Sequence, residues 1–406
     1  MKKLILDLFS KDKNLFLFIF ISGLLLRSIT AFFFGDRILE NEWNILVKNL
    51  YFYDSFSLLV FDDLFVPNLW MPPLYGYFIY LHSLLVGFNE YLPISVITSQ
   101  IIIASITPVF FFKIISIFFN RKLSIIGSFT FNFFPLIIFS SSQISSVTIF
   151  IFLNILFFYF ILKLKNNSKI KLILLIGFLS SLLILTRRDF VLIYLFSLLF
   201  YFLFLKINIK TIVTIIIITI IGISPYLYRN YVAFDKFIIH SGFGYNLWKA
   251  YNPNANVEGY LFVSEELQNK INTVEKNIYY RINEDQIYLE QALTYIKNDP
   301  QKYINLYFKR LYSFYFFDLN SSQKNYYNPV HIYPIILVSL LSICGLFTFN
   351  KKNNKLNYLV LTFLLLVVLY AFFAVLPRYK IYILPFQIIL SLSYLKYLFE
   401  KLRIKN

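Results

Sequence analysis

The chain has 406 residues, of which 58% are hydrophobic, 21% aromatic and only 15% charged, whereas an ordinary soluble domain carries roughly 25% charged residues. That excludes a soluble globular enzyme and implies an all-α polytopic membrane protein. The formal charge of +17 comes from Lys and Arg set in short clusters between apolar runs, the pattern that orients membrane spans, so nucleic acid is not an expected partner.

In chain order, the opening MKKLILDLFSKDKN has the basic flank of a signal peptide. The run from Leu15 to Phe34 is nevertheless about one span long and lacks a small-residue cleavage site, so it is expected to stay as a first helix. Apolar runs at 93–118, 123–140, 144–162, 171–186, 190–205, 211–229, 332–349, 357–376 and 381–398 bring the expected total to ten spans. Another stretch, PPLYGYFIYLHSLLVG at 72–87, is expected to lie on or dip into the outer leaflet without crossing. If it crossed, the basic clusters after it up to Lys210 would turn outward, and Pro72, Pro73 and Pro93 break it from its surroundings.

The clusters Lys2 to Lys13, Arg121 and Lys122, Lys163 to Lys171, Lys206 to Lys210, Lys351 to Lys355 and Lys396 to Lys405 then face the cytoplasm, as do both termini. Two external segments follow, at about 35–92 and 230–331. The expected domains are a transmembrane catalytic module over 1–229, a mainly helical external segment over 230–331 and a three-helix transmembrane module over 332–406. Cys344 lies alone inside a predicted span, so neither a disulfide nor thiol chemistry is implied.

Of 21 acids, only Asp7, Asp12 and Glu400 fall on the cytoplasmic side, leaving 18 outside. Solvated loop surface accounts for some of these, and an external active site for others. In GDRILENEWNILVKNL, Asp36 and Glu40 would share a face if the stretch is helical, while Glu40 and Glu42 would point about 200° apart. One carboxylate per site is expected there. In LTRRDF, Arg187 and Arg188 sit outside against the usual bias, where a guanidinium can hold a phosphate in bidentate fashion or snorkel to lipid headgroups. In LPRYKIYILP, Arg378 and Lys380 are the only charges of a tight turn shaped by Pro377 and Pro385.

SGFGYNLWKAYNPN offers Tyr245, Asn246, Trp248, Lys249 and Asn252, a composition suited to stacking on sugars and bonding their hydroxyls, and equally to a capped turn. His82, His240 and His331 show no ligand spacing, so no metal is expected through them. No Walker, GxGxxG or GxSxG motif is present.

Taken in order, ENEW after the first span, PPLY, TRRDF, GYNLWK with AYNP, NDPQKYINLYFKRL and LPRYK resemble bacterial membrane glycosyltransferases of the dolichyl-phosphate-mannose protein mannosyltransferase type. The lipid A aminoarabinose transferases belong to the same superfamily, with the GT-C fold. The resemblance covers nearly the whole chain. It implies a polyprenyl-phosphate-linked sugar as donor, a lipid, glycan or protein acceptor, and transfer on the periplasmic side of the inner membrane. It also implies a catalytic acid in the first external loop, for which Glu40 is favoured, with Asp36 and Glu42 as alternates.

Arg187, Arg188, Arg378 and Lys380 would then hold the donor phosphate, and the PPLY helix with Tyr75 would wall the pocket against lipid. Members commonly carry a further acid after the third span, but this chain reads SSSQISSVTIF there, which leaves a divalent metal unsupported. Rival readings are an O-antigen ligase or polymerase, expected to use arginines and a His in a large late loop, and a lipid or sugar transporter. The second would need ionisable groups inside spans, and Arg27 and Lys113 are the main ones.

Overall fold

The computed structural model describes residues 12–403. Lys2, Lys3, Asp7 and Lys405, which enter the orientation argument, lie outside the described residues. Helix α1 (Asp12–Phe34) leads through an irregular loop to α2 (Asn41–Tyr53), a hairpin of β1 (Ser57–Phe61) and β2 (Leu64–Pro67), and α3 (Pro73–Val86). The chain continues through α4 (Tyr91–Ile115), α5 (Arg121–Asn132), α6 (Pro135–Ser141), α7 (Val147–Ile161), α8 (Ile170–Thr186), α9 (Phe190–Leu203) and α10 (Ile209–Phe234). A more polar stretch holds α11 (Phe243–Tyr251), α12 (Glu265–Asn272), α13 (Tyr280–Asn298) and α14 (Pro300–Tyr315). Last come α15 (Pro329–Thr348), α16 (Asn354–Ala371), a 3-10 turn (Pro377–Tyr382) and α17 (Leu384–Arg403).

The ten apolar runs all fall on helices, which makes this an all-α polytopic membrane protein. Among the described residues, α1, α4, α10, α15 and α16 are long and apolar enough to cross a membrane, and α5 with α6, bent by 49°, is either a broken sixth span or a re-entrant loop. Helices α7, α8 and α9 have 15, 17 and 14 residues, short of the roughly 20 that a hydrocarbon core asks for. Most of α7 is buried by neighbouring helices, so protein rather than lipid surrounds it. The 72–87 stretch is a separate helix, α3, ended at Gly87. Pro93 does not break it off: it sits in the first turn of α4, where a missing N–H costs nothing.

The hairpin was not expected. Strands β1 and β2 pair antiparallel around Asp62, which takes φ of 51°, a left-handed conformation that Asp tolerates better than most residues. Arg229 at the end of α10 donates to Asn68 O (3.0 Å) and Phe56 O (3.0 Å), pinning the hairpin to the bundle.

One apolar core runs from Leu39 to Leu392, so helices from both ends of the chain build a single bundle. Arg27 is fully buried within α1, where Nη1 donates to Asn132 Oδ1 (2.9 Å) and Gly23 O (3.2 Å). Asn132 in turn donates to Ile19 O (3.0 Å). This polar tie joins α1 to α5. A Cβ added at Gly345 would stand 2.0 Å from Leu390 O, so α15 and α17 meet backbone against backbone.

Candidate active site

The loop after α1 is extended rather than helical, so Asp36 and Glu40 are not related by a helical turn. Glu40 is instead the N-cap of α2, with no capping bond from its side chain, and Asn41 follows at φ of 54°. Asp36 is half-buried and Glu40 exposed. Asp36 Oδ2 accepts the Ile144 amide (2.6 Å) and Asp36 N donates to Ser142 O (3.2 Å). The SSSQISS segment therefore contributes backbone groups to this carboxylate. Burial first, then the Glu40 charge, raise the Asp36 carboxyl above its ordinary value against the pull of the Ile144 bond. No ion pair holds Asp36 among the described residues.

Beneath it, Tyr75 is fully buried. Its hydroxyl donates to Gln100 Oε1 (2.6 Å), and Gln100 Nε2 donates to Gln143 O (2.9 Å). Trp43 meets Tyr75 edge-on at 4.9 Å. Tyr75 thus floors the Asp36 loop from inside the protein, with no surface left to touch a sugar.

Arg187 and Asp189 occupy the break between α8 and α9. Arg187 Nε donates to Asp189 Oδ1 (3.1 Å), Nη2 to Oδ2 (3.3 Å), and Nη1 to Tyr382 OH (2.7 Å). Tyr370 OH donates to Asp189 as well. Burial works to raise the Asp189 carboxyl, but the Arg187 charge and these hydrogen bonds outweigh it and hold it below its ordinary value. Arg188 faces elsewhere, donating to His240 Nδ1 (2.9 Å), Ser241 O (3.2 Å) and Gly242 O (3.1 Å). A guanidinium cannot accept, so His240 Nδ1 is the acceptor and the ring is neutral; burial and then Arg188 push its pKa down to about 3. Arg188 is a clamp on the loop entering α11.

The turn between α16 and α17 separates its two cations. Lys380 is 1% exposed and donates to Phe314 O (3.3 Å), Ser339 Oγ (3.3 Å) and Tyr315 O. The Phe314 and Tyr315 carbonyls are orphans at the C-terminus of α14, and the buried amine of Lys380 satisfies them, with the Ser339 hydroxyl of α15 as its third partner. Lys380 therefore faces into the bundle. Arg378 is half-buried, with Tyr379 its nearest ring at 5.8 Å. No carboxylate among the described residues pairs with it. Burial opposes the Arg378 charge, but Tyr379, Tyr326 and Tyr382 outweigh it and raise its pKa. Tyr379 lies under Arg187 (4.9 Å) as well; burial works to raise its phenol, yet Arg378 and Arg187 hold it below its ordinary value.

Tyr326 meets Phe139 of α6 edge-on at 5.0 Å. Burial pushes its phenol up, Arg378 acting against this and Asp36 with it, so one hydroxyl senses both groups. Its loop is fastened by Glu258, which accepts Ser322 N (3.1 Å), Ser322 Oγ (2.6 Å) and Ser321 Oγ. His331 Nδ1 donates to Tyr326 O (2.8 Å). Sequence reasoning passed over Tyr326, Tyr379, Tyr382 and Asp189. The adjacent Tyr326 and Tyr327 in an otherwise polar loop, and the Asp completing LTRRDF, were the signals that could have found them.

The GYNLWK stretch is largely scaffold. Trp248 is 1% exposed and packs on Tyr288 (4.8 Å) and Tyr245 (5.6 Å). Asn252 is fully buried, its amide donating to Tyr260 O (2.5 Å) and its carbonyl accepting Asn254 N (3.0 Å). Asn246 donates to Gly242 O (2.6 Å). Tyr245, Asn246 and Lys249 remain partly open. The Tyr245 phenol is raised by burial and then by the Glu42 charge. Among the described residues, no cluster of three or more His, Cys, Asp or Glu gathers as a metal site would.

No family model and no curated protein matches the sequence. Among solved structures, the chain is similar to an oligosaccharyltransferase of Archaeoglobus fulgidus tethered to an acceptor peptide, at 11% identity and a TM-score of 0.50. That match covers 98% of this chain but 51% of the other, so this chain spans about half its length. It also matches ArnT from Cupriavidus metallidurans bound to undecaprenyl phosphate, at 10% identity, a TM-score of 0.44, and coverage of 93% of this chain and 76% of that one. The apo form of ArnT gives 10% identity and 0.40 over the same shares. The chain is built on the GT-C fold of membrane glycosyltransferases.

Proposed function

We propose that the chain is an integral-membrane glycosyltransferase that moves a sugar from a polyprenyl-phosphate carrier to a lipid, glycan or protein acceptor. The reaction belongs on the periplasmic face of the inner membrane, with both termini cytoplasmic. One arrangement carries this reading: a half-buried carboxylate that pairs with no cation, Asp36, and a half-buried guanidinium that pairs with no carboxylate, Arg378, among the described residues of a GT-C bundle. The ArnT structure with undecaprenyl phosphate names the class of donor to try first.

In this mechanism Asp36 Oδ2 stays on the Ile144 amide, and Oδ1 accepts the proton of the acceptor hydroxyl. The new bond forms from that oxygen to the anomeric carbon as the bond from the carbon to the phosphate oxygen breaks. The phosphate leaves with the electron pair, and Arg378, backed by Tyr379 and Tyr326, takes up its charge; a leaving group of such low pKa needs a cation rather than an acid. Attack opposite the phosphate inverts the sugar. Glu40, exposed beside Asp36, guides the acceptor. Arg187, already paired with Asp189, holds the tyrosines that flank Arg378.

The test is turnover of radiolabelled sugars on polyprenyl phosphates by the purified chain in nanodiscs, with Asp36→Asn alongside. Transfer by the wild type, with the variant binding donor but not turning over, is the expected result. A protein that neither binds nor consumes any lipid-linked sugar overturns the reading.

A further inference from the structure

Helix α14 was expected to belong to a water-exposed segment. Its sequence, PQKYINLYFKRLYSFY, buries Tyr303, Leu306, Arg310, Ser313 and Phe314. The other side is not polar throughout: Ile304 (51%), Phe308 (62%) and Tyr312 (57%) are exposed at four-residue intervals, forming one stripe. Flanking positions change character along the helix, from Gln301, Asn305 and Lys309 to Tyr312 and Phe316, whose rings lie 5.1 Å apart. The N-terminal half is thus edged by polar groups and the C-terminal end by aromatic ones.

The neighbours of α14 explain the change. Tyr307 sits 4.8 Å from Phe372 at the end of α16. Tyr315, two turns further on, packs on Phe363 (5.8 Å) near the middle of that helix. The Tyr315 carbonyl accepts Ser339 Oγ (3.0 Å) and Gln387 Nε2 (3.1 Å), and its hydroxyl meets Ser342 Oγ (2.7 Å). Ser339 lies ten residues past Pro329, the start of α15, which is about 15 Å along the helix axis. So α14 runs antiparallel to α16 and its last turn stands inside the bundle, where Lys380, Ser339 and Gln387 supply the partners that water would otherwise give. The exposed side of α16 carries Leu361, Leu364, Val368 and Phe372, also on one stripe, and Tyr307, next to Phe308 of the α14 stripe, touches it at Phe372 (4.8 Å) and donates to Val368 O (3.4 Å).

We propose that α14 is a membrane-inserted, re-entrant helix whose Ile304–Phe308–Tyr312 stripe is covered by the acyl chains of the leaflet at the Pro329 end of α15. The occupant is bilayer lipid because the stripe extends a face that already belongs to a membrane-spanning helix. The inference does not depend on glycosyl transfer.

In a Cys344→Ser background, nitroxides are placed at Ile304→Cys, Phe308→Cys and Tyr312→Cys in phosphatidylcholine and phosphatidylglycerol vesicles. Their collision rates with oxygen and with a water-soluble nickel complex are then compared. Leu364→Cys serves as the lipid reference and Lys270→Cys as the water reference. The ratio of oxygen to nickel collisions should rise severalfold from 304 to 312 and approach that of 364. A ratio like that at 270 on positions 308 and 312 overturns the proposal, and so does shielding from both reagents, which would mean a protein cover. The unsubstituted protein provides the second reading: a diazirine carried in the acyl chains should label Phe308 and Tyr312 and spare Gln301, and no label in α14 overturns the proposal equally.

Discussion

Two carboxylates stand at one end of the bundle and are treated in opposite ways. Asp189 meets Arg187 through two hydrogen bonds and receives a third from Tyr370, and it is held below its ordinary pKa. Asp36 has a single backbone amide and no cation, and it is raised. Both interrupt apolar sequence. The acid with a full set of partners is fastening two helices, whereas the acid left with an open oxygen and a reluctant charge is free to take a proton. Spacing along the chain cannot show this difference, because the bonds that complete the Arg187–Asp189 pair come from Tyr370 to Asp189 and from Arg187 to Tyr382, about 180 residues away.

The sharpest break would come at Asp36. Asp36→Asn should lower turnover by about 10² to 10⁴, the usual contribution of a general base, while thermal stability and donor binding stay near wild type. If stability collapses instead, Asp36 belongs with Asp189. Next, Arg378→Ala should weaken donor binding by about 10- to 100-fold, as expected for loss of a charge-assisted hydrogen bond, and Arg378→Lys should restore it only in part. Arg188→Ala, by contrast, should leave donor binding within a few-fold and lower the unfolding midpoint. Equal donor loss in both variants would return Arg188 to the phosphate site.

On the other side of the comparison, Asp189→Asn should cost about 2 kcal/mol of stability, a figure kept low because the Asp189 side chain is 35% exposed and solvent weakens the pair. The sign follows from its depressed pKa: the stabilisation is present above the unfolded carboxylate value and is lost as pH falls through the folded one. Wild type and variant should therefore converge in acid, in unfolding scans across pH.

For Asp36 the direction is reversed. A raised base keeps its proton to higher pH, so the acid limb of kcat/KM should lie above the value of about 3.9 for a free Asp. An acid limb at or below that value would remove Asp36 as the base. The smallest effect is expected for Glu40→Gln: below about 10-fold in turnover, appearing in KM for acceptor rather than in kcat, since an exposed charge is screened and acts mainly on encounter.

The fold was largely legible. All ten apolar runs are helices because burial in lipid or protein demands that backbone groups be satisfied within the segment. The α3 segment reads correctly as a helix of its own. What hydropathy could not register was depth, since α7 is short yet packed in protein, α8 and α9 are short yet leave an apolar side exposed, and α14 enters the bundle under a cover of charged and aromatic residues.

The site was legible as a neighbourhood rather than as roles. Trp248, Asn252 and Tyr75 are buried among other side chains and backbone, which sequence does not reveal, because a residue able to stack on a sugar stacks equally well on another aromatic. Lys380 is ambiguous in sequence for a similar reason: an amine in a tight turn bonds helix carbonyls, as here, as readily as phosphate.

The contact at Gly345 has a mechanical consequence for the site. With no side chain between them, α15 and α17 cannot slide or rotate past one another without collision, so the pair acts as a rigid strut. The turn that carries Arg378 and Tyr379 hangs from the top of that strut at Leu384, while its other end joins α16 through the extended stretch after Phe373. Between these ends the turn is tied twice more, by Val375 N donating to Val257 O (2.9 Å) and by Lys380 donating to Phe314 O (3.3 Å), so the backbone under Arg378 is braced along its whole length.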